Sequence, residues 1–133
     1  MTKIVDDKYP DSDLTGKIIG AAMEVHNHLG NGFQEVVYQR ALAIELGMRN
    51  IGFEREKVMG LSYKGYDIGT RRADFLIEDQ IVVEIKAVKE LEDVHLAQAI
   101  NYLEAYGLET GLLINFGNTR LQFKRVMKPK QRL

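Results

Sequence analysis

Two neighbouring segments constrain this chain most: Arg72-Ala73-Asp74-Phe75-Leu76-Ile77 and Ile81-Val82-Val83-Glu84-Ile85-Lys86. Ala73, Phe75, Ile77, Ile81, Val83, Ile85 and Ala87 share one parity, and Arg72, Asp74, Leu76, Val82, Glu84 and Lys86 share the other. That period of two belongs to β-strands, because successive side chains of a strand point to opposite faces. A three-residue turn at Glu78-Asp79-Gln80 pairs Ile77 with Ile81, sets Asp74 opposite Glu84, and sets Arg72 opposite Lys86. Directly opposed residues hold their Cβ atoms about 5 Å apart. A two-residue turn would send Asp74 and Glu84 to opposite faces and put Ala73 among the charges, against the alternation. Two carboxylates that close repel each other unless a dication lies between them. The solvent side of any antiparallel sheet alternates in the same way. Leu76 and Val82 on the charged face point instead to a cleft covered by other elements.

The chain's 133 residues, 45% of them hydrophobic, suit one globular domain with its own core. It contains no cysteine, which excludes disulfide scaffolds, thiolate metal sites and cysteine nucleophiles. Residues 1–7 lack the apolar stretch of a secretory signal and no apolar run is long enough for a bilayer, so a cytoplasmic protein with no membrane partner is expected. The formal net charge of −1 makes no general case for binding nucleic acid. Its distribution says more: Arg120, Lys124, Arg125, Lys128, Lys130 and Arg132 meet no acid from residue 119 onward, a basic end able to contact phosphate.

Residues 1–13 read as a polar arm, residues 14–127 as the domain, and residues 128–133 as a basic tail. Ser12 or Asp13 caps a first helix over 14–29 with the stripe Leu14, Ile18, Ala21, Val25, Leu29. After Gly30-Asn31-Gly32, a second helix is predicted over 33–49, its stripe being Val37, Ala41, Ile44 and Met48. Residues 53–68 read as a strand turning into the next around Gly60 and Lys64-Gly65. A third helix over 93–106 turns Val94, Ala97, Ile100 and Leu103 or Leu96 inward and stops at Gly107. A buried strand over 111–116 and a final strand over 121–126 complete the order. The expected class is α/β, a mixed sheet flanked by helices in the order ααβββ(β)αββ.

Further residues are placed to join the charged hairpin. Glu35 stands in the first turn of the second helix, where the helix dipole favours an acid, and Tyr38 follows one turn later. Gln98 and Tyr102 are four apart on the third helix and share a face with His95. Glu24 and His28 on the first helix are a weaker metal-ligating pair with too few partners. No Gly-rich phosphate loop or nucleophile elbow is present.

Asp74, Glu84-Ile85-Lys86 and Gln98-Ala99-Ile100-Asn101-Tyr102, taken together, resemble the PD-(D/E)XK nuclease superfamily in its branch with a trailing Q-x-x-x-Y motif. Gly32-Phe33-Gln34-Glu35-Val36-Val37-Tyr38 matches the G-x-x-E-x-x-Y signature of a family of small proteins within it. Ile114-Asn115-Phe116-Gly117 adds to the match, which spans about residues 14–126. Ala73 stands where the superfamily's nominal proline would be. The resemblance implies a restriction-endonuclease-like core and a site at one edge of the hairpin. Asp74, Glu84 and the Ile85 carbonyl would bind Mg²⁺ or Mn²⁺, and Glu35 would complete or support the site. Lys86 would orient the attacking water or stabilise charge on phosphorus. Gln98, Tyr102 and Tyr38 would bind substrate. The expected activity is metal-dependent hydrolysis of DNA or RNA, with a homodimer as one possible form. The alternative is a nuclease-fold binding or regulatory module without turnover.

Overall fold

The computed structural model describes residues 12–128. Nearly all of the expected arm, and all of the expected basic tail except Lys128, lie outside those residues. Helices α1 (Ser12–Leu29) and α2 (Glu35–Met48) form an antiparallel pair. Strands β1 (Phe53–Tyr63), β2 (Tyr66–Ile77) and β3 (Ile81–Lys86) follow, then helix α3 (Asp93–Tyr106) and strands β4 (Thr110–Asn115) and β5 (Gln122–Met127). The five strands make one sheet in sequential order, antiparallel except where β3 pairs with β4. Parallel neighbours need a long crossover, and α3 supplies it.

Helices cover both faces of the sheet, which is why β4 is buried at every residue. On one face Ile18, Ile19, Leu42 and Leu46 of α1 and α2 pack on Phe75, Ile77, Ile81, Val83, Ile85, Leu112 and Ile114. On the other, Ala99 and Leu103 of α3 pack on Leu76, Val82, Leu113 and Val126. Leu76 and Val82 therefore lie under a helix, as their apolar character on a charged face implied.

Two helix faces differ from the expected ones. Helix α2 buries Tyr38, Gln39, Leu42 and Leu46, while Ile44 and Met48 are exposed. Its sequence offers two adjacent apolar stripes, and stacking of Tyr38 on Phe116, with ring centroids 4.6 Å apart, goes with the inward stripe. Helix α3 turns Leu96, Ala99, Ile100 and Leu103 inward and leaves Val94 in solvent. Small Ala99 lets the helix axis approach the sheet where Val94 and Ala97 were expected to do so. Gly107 ends α3 in the left-handed region at φ 67°, as a helix C-terminal glycine does.

The hairpin has its expected register, Ile77 with Ile81, Leu76 with Val82 and Phe75 with Val83, across the turn at 78–80. The ladder then stops, so neither Asp74 and Glu84 nor Arg72 and Lys86 pair in it as expected. At the same level the β1–β2 ladder skips a step: Arg55 pairs with Phe75 and Lys57 with Ala73, and Glu56 between them has φ 51°. A positive φ inside a strand breaks its regular pleat, so β1 has a local bend at Glu56. Ala73, expected on the Phe75 face, packs in the α3 core instead. Beyond the bend β1 and β2 continue as a two-stranded ribbon to the turn Lys64-Gly65, where φ is 49° and 84°, the positive pair of a type I′ hairpin.

Candidate active site

Asp74 sits at the bend, where the hairpin strands part, and its side chain takes over from the missing ladder. Its Oδ2 accepts the Ile85 N–H at 2.7 Å, and its own N–H donates to Glu84 Oε1 at 3.3 Å. The two acids thus lie on neighbouring strands within reach of each other. Glu84 is 6% exposed. Burial, and then the charge of Asp74, push its carboxyl up to about 8, against weaker opposing effects of the Asp74 N–H, Lys86 and Arg71. Burial also raises Asp74, opposed chiefly by the Ile85 N–H and Gln39 hydrogen bonds. A desolvated acid pair of this kind favours a proton or a cation.

The expected partners reach this place to different degrees. Lys86 is half-buried, follows Glu84 by two residues on the same strand, and acts electrostatically on Asp74, Glu84 and Glu35. Glu35 opens α2, and its carboxyl is raised by partial desolvation, with Lys86 opposing and Asp74 adding to the shift. It stands beside the acids but not as a third direct ligand, since among the described residues no three His, Cys, Asp or Glu side chains cluster at metal-binding distance. Gln98 is half-buried on α3 and its amide makes no hydrogen bond among the described residues. The Tyr102 hydroxyl donates to the Arg72 carbonyl at 3.0 Å, which ties α3 to β2 two residues before Asp74.

Tyr38 does not reach the site. It is fully buried, its hydroxyl donates to the Gly30 carbonyl at 2.6 Å, and it accepts the Phe33 N–H at 3.2 Å. Its place is structural: it closes the turn between α1 and α2, in which Gly30 and Gly32 both have positive φ. The G-x-x-E-x-x-Y spacing is thus a turn clamp that presents Glu35 at the start of α2. Glu24 and His28, 3.1 Å apart, are an exposed pair on α1.

Several residues at the site carry no motif. Buried Gln39 donates to Asp74 Oδ1 at 3.1 Å and accepts from Arg55 Nη2 at 2.8 Å, so α2 and β1 both fix the carboxylate. The Tyr106 hydroxyl accepts the Ala73 N–H at 3.2 Å and donates to the Lys57 carbonyl, bridging the strands at the bend. Its position four residues after Tyr102 was the one available signal. The Arg71 guanidinium lies over the Tyr102 ring, 4.9 Å from its centroid. Buried Asn115, which does belong to the Ile114-Asn115-Phe116-Gly117 run, accepts the Val88 N–H and donates to the Val88 carbonyl, both at 2.9 Å, and so holds the segment that follows Lys86.

A model of the PD-(D/E)XK nuclease superfamily matches residues 12–126 of this sequence. The chain belongs to that superfamily. Solved structures share its fold, two of them as follows. The crystal structure of SSO0001 has 19% identity and a TM-score of 0.53, with 89% of this chain and 79% of that one covered. An alkaline exonuclease from Laribacter hongkongensis has 12% identity and a TM-score of 0.52, with 97% and 73% covered. No curated protein matches the sequence.

PD-(D/E)XK nucleases generally use divalent metals, and the donors here suit a hard cation. They are carboxylate and carbonyl oxygens without cysteine or clustered histidine. Burial makes Glu84 a poor anion by itself, so it favours a proton or a cation. In this superfamily member Asp74 and Glu84 lie where the hairpin strands part, and Lys86 follows two residues after Glu84.

Proposed function

We propose that the chain is a divalent-cation-dependent phosphodiesterase acting on nucleic acid, and that within its superfamily it is a G-x-x-E-x-x-Y protein. The convergence of Asp74, Glu84 and Lys86 at the opening of the hairpin carries this reading. Asp74, Glu84 and the Ile85 carbonyl would hold Mg²⁺ or Mn²⁺. The ion supplies positive charge that offsets both acids and the charge developing on a phosphodiester.

The protein's own groups do the rest. Gln39, the Ile85 N–H and the Asp74 N–H fix the two carboxylates before substrate arrives, so little reorganisation is needed at the moment of reaction. Lys86 holds a positive charge beside them, where it stabilises the transferring phosphoryl oxygens or orients the attacking water. Glu35 adds a negative charge near that lysine from the α2 terminus. The uncommitted amide of Gln98 contacts the substrate backbone, and Tyr102, its hydroxyl already spent on Arg72, positions the strand bearing Asp74. A binding module without turnover has no use for a half-buried lysine beside desolvated acids.

The test is incubation with labelled single-stranded and double-stranded DNA and RNA, with Mg²⁺, with Mn²⁺, and with chelator. Cleavage that needs the cation supports the proposal. Cleavage that persists in chelator, or intact substrates under every condition, argues against it.

A further inference from the structure

The β1–β2 ribbon runs past the core and faces α3 across a groove of about 650 Å³, lined in part by Leu61, Ile68, Thr70, Arg71, Asn101 and Glu104. Glu104 is offset by Lys128, whose Nζ lies 3.7 Å away. At the inner end Arg71 covers the Tyr102 ring, stands three residues before Asp74 on β2, and its charge acts on Glu84. At the outer end Tyr63 and Tyr66 pair across the turn, 59% and 75% exposed, and Ile68 is 63% exposed. The Lys64 ammonium lies 5.3 Å from the Tyr63 ring centroid. Between residues 58 and 72 stand Lys64, Arg71 and Arg72 against Asp67 alone, in a chain whose formal net charge is −1.

We propose that the ribbon and α3 form a track for a single strand of nucleic acid. Its bases stack on Tyr63 and Tyr66, and its backbone passes Arg71 toward Asp74 and Glu84. The chemistry at the end of the track rests on the phosphodiesterase reading above. Exposed rings beside cations bind unpaired bases, whose faces are free, whereas bases within a duplex are already stacked on both sides. The groove has the volume of a small-molecule cleft, which takes one strand and not two. Aromatic and apolar side chains at a solvent-exposed tip add nothing to either core, so their packing surface is left for a partner.

The experiment measures fluorescence anisotropy of labelled oligo-dT, oligo-U and a hairpin duplex, all with the Lys86→Ala protein so that cutting is slow on the timescale of the measurement. Three forms are compared: that background alone, with Tyr63→Ala and Tyr66→Ala together, and with Tyr63→Phe and Tyr66→Phe together. Both tyrosines are exposed, and circular dichroism checks the fold. The expected result is tighter binding of single strands than of duplex, a loss of about fivefold or more per ring in the alanine form, and retention in the phenylalanine form. The ratio of oligo-dT to oligo-U affinity tells DNA from RNA. Duplex preference, equal affinity of the alanine form, or equal loss in the phenylalanine form overturns the track. Hydrolysis of bis(p-nitrophenyl) phosphate by the unaltered protein, against Lys86→Ala, judges the phosphodiesterase reading separately, because that diester is too small to need the ribbon.

Discussion

The N–H of Asp74 donates to Glu84 Oε1 while Asp74 Oδ2 accepts the N–H of Ile85, so the two acids hold each other's strands where the backbone ladder has stopped. Side chains here do what carbonyls do in the rest of the sheet. Both carboxylates are therefore fixed in position and one is almost wholly desolvated. Position and desolvation together suit a cation, because a flexible surface pair would turn away from its own repulsion.

Burial raises Glu84 to about 8, so the folded chain binds this proton more tightly than the unfolded one. For the metal-free protein, this group's contribution to stability is full below the ordinary carboxylate range and is lost as pH rises through about 8. Cation and proton compete for the same pair, so Mg²⁺ should raise the melting temperature more at the upper end of that window than at the lower. Glu84→Gln should flatten both dependences. Thermal melts with and without Mg²⁺ at several pH values check this, and an equal Mg²⁺ shift throughout would place the ion elsewhere.

Tyr38→Phe keeps the ring on Phe116 and removes the hydroxyl that serves Gly30 and Phe33. Stranding those backbone groups costs about 1–3 kcal/mol, read as a lower denaturant midpoint. The substrate KM should stay unchanged, because the hydroxyl does not reach the acids. A raised KM at unchanged stability would restore Tyr38 to substrate binding.

A Cβ on Gly117 would lie 2.3 Å from the Val88 carbonyl oxygen and 2.6 Å from the Ala87 carbonyl carbon, whereas one on Gly60 would meet nothing within 4 Å. Gly117→Ala must move the backbone just beyond Lys86. It should cost about 1–3 kcal/mol or more and lower the rate as the lysine shifts. Gly60→Ala should change stability by much less. Denaturation midpoints of the two variants give the comparison directly.

Strict alternation made the hairpin register and its three-residue turn legible in the sequence, and the shared parity of Asp74 and Glu84 followed. It could not reveal the bend, because that depends on Glu56 adopting a positive φ and on the Tyr106 hydroxyl entering between strands, neither of which leaves a periodic trace. The faces of α2 and α3 were misread for a related reason: each helix has two adjacent apolar stripes, and tertiary contacts of Tyr38 and Ala99 decide between them. Gln39 and Arg55 escaped notice because a glutamine and an arginine on separate elements acquire a role only once the fold brings them to Asp74.

The most direct measurement is the single-turnover cleavage rate of the preferred oligonucleotide by unaltered protein and by Lys86→Ala, with Mn²⁺ binding to each followed by electron paramagnetic resonance. Removing one charge-stabilising donor typically costs about 10²–10³ in rate. The predicted result is a loss of that order in Lys86→Ala with Mn²⁺ still bound, since Asp74 and Glu84 are intact. Equal rates in the two proteins would contradict the assignment of this hairpin as the place where phosphodiesters are cut.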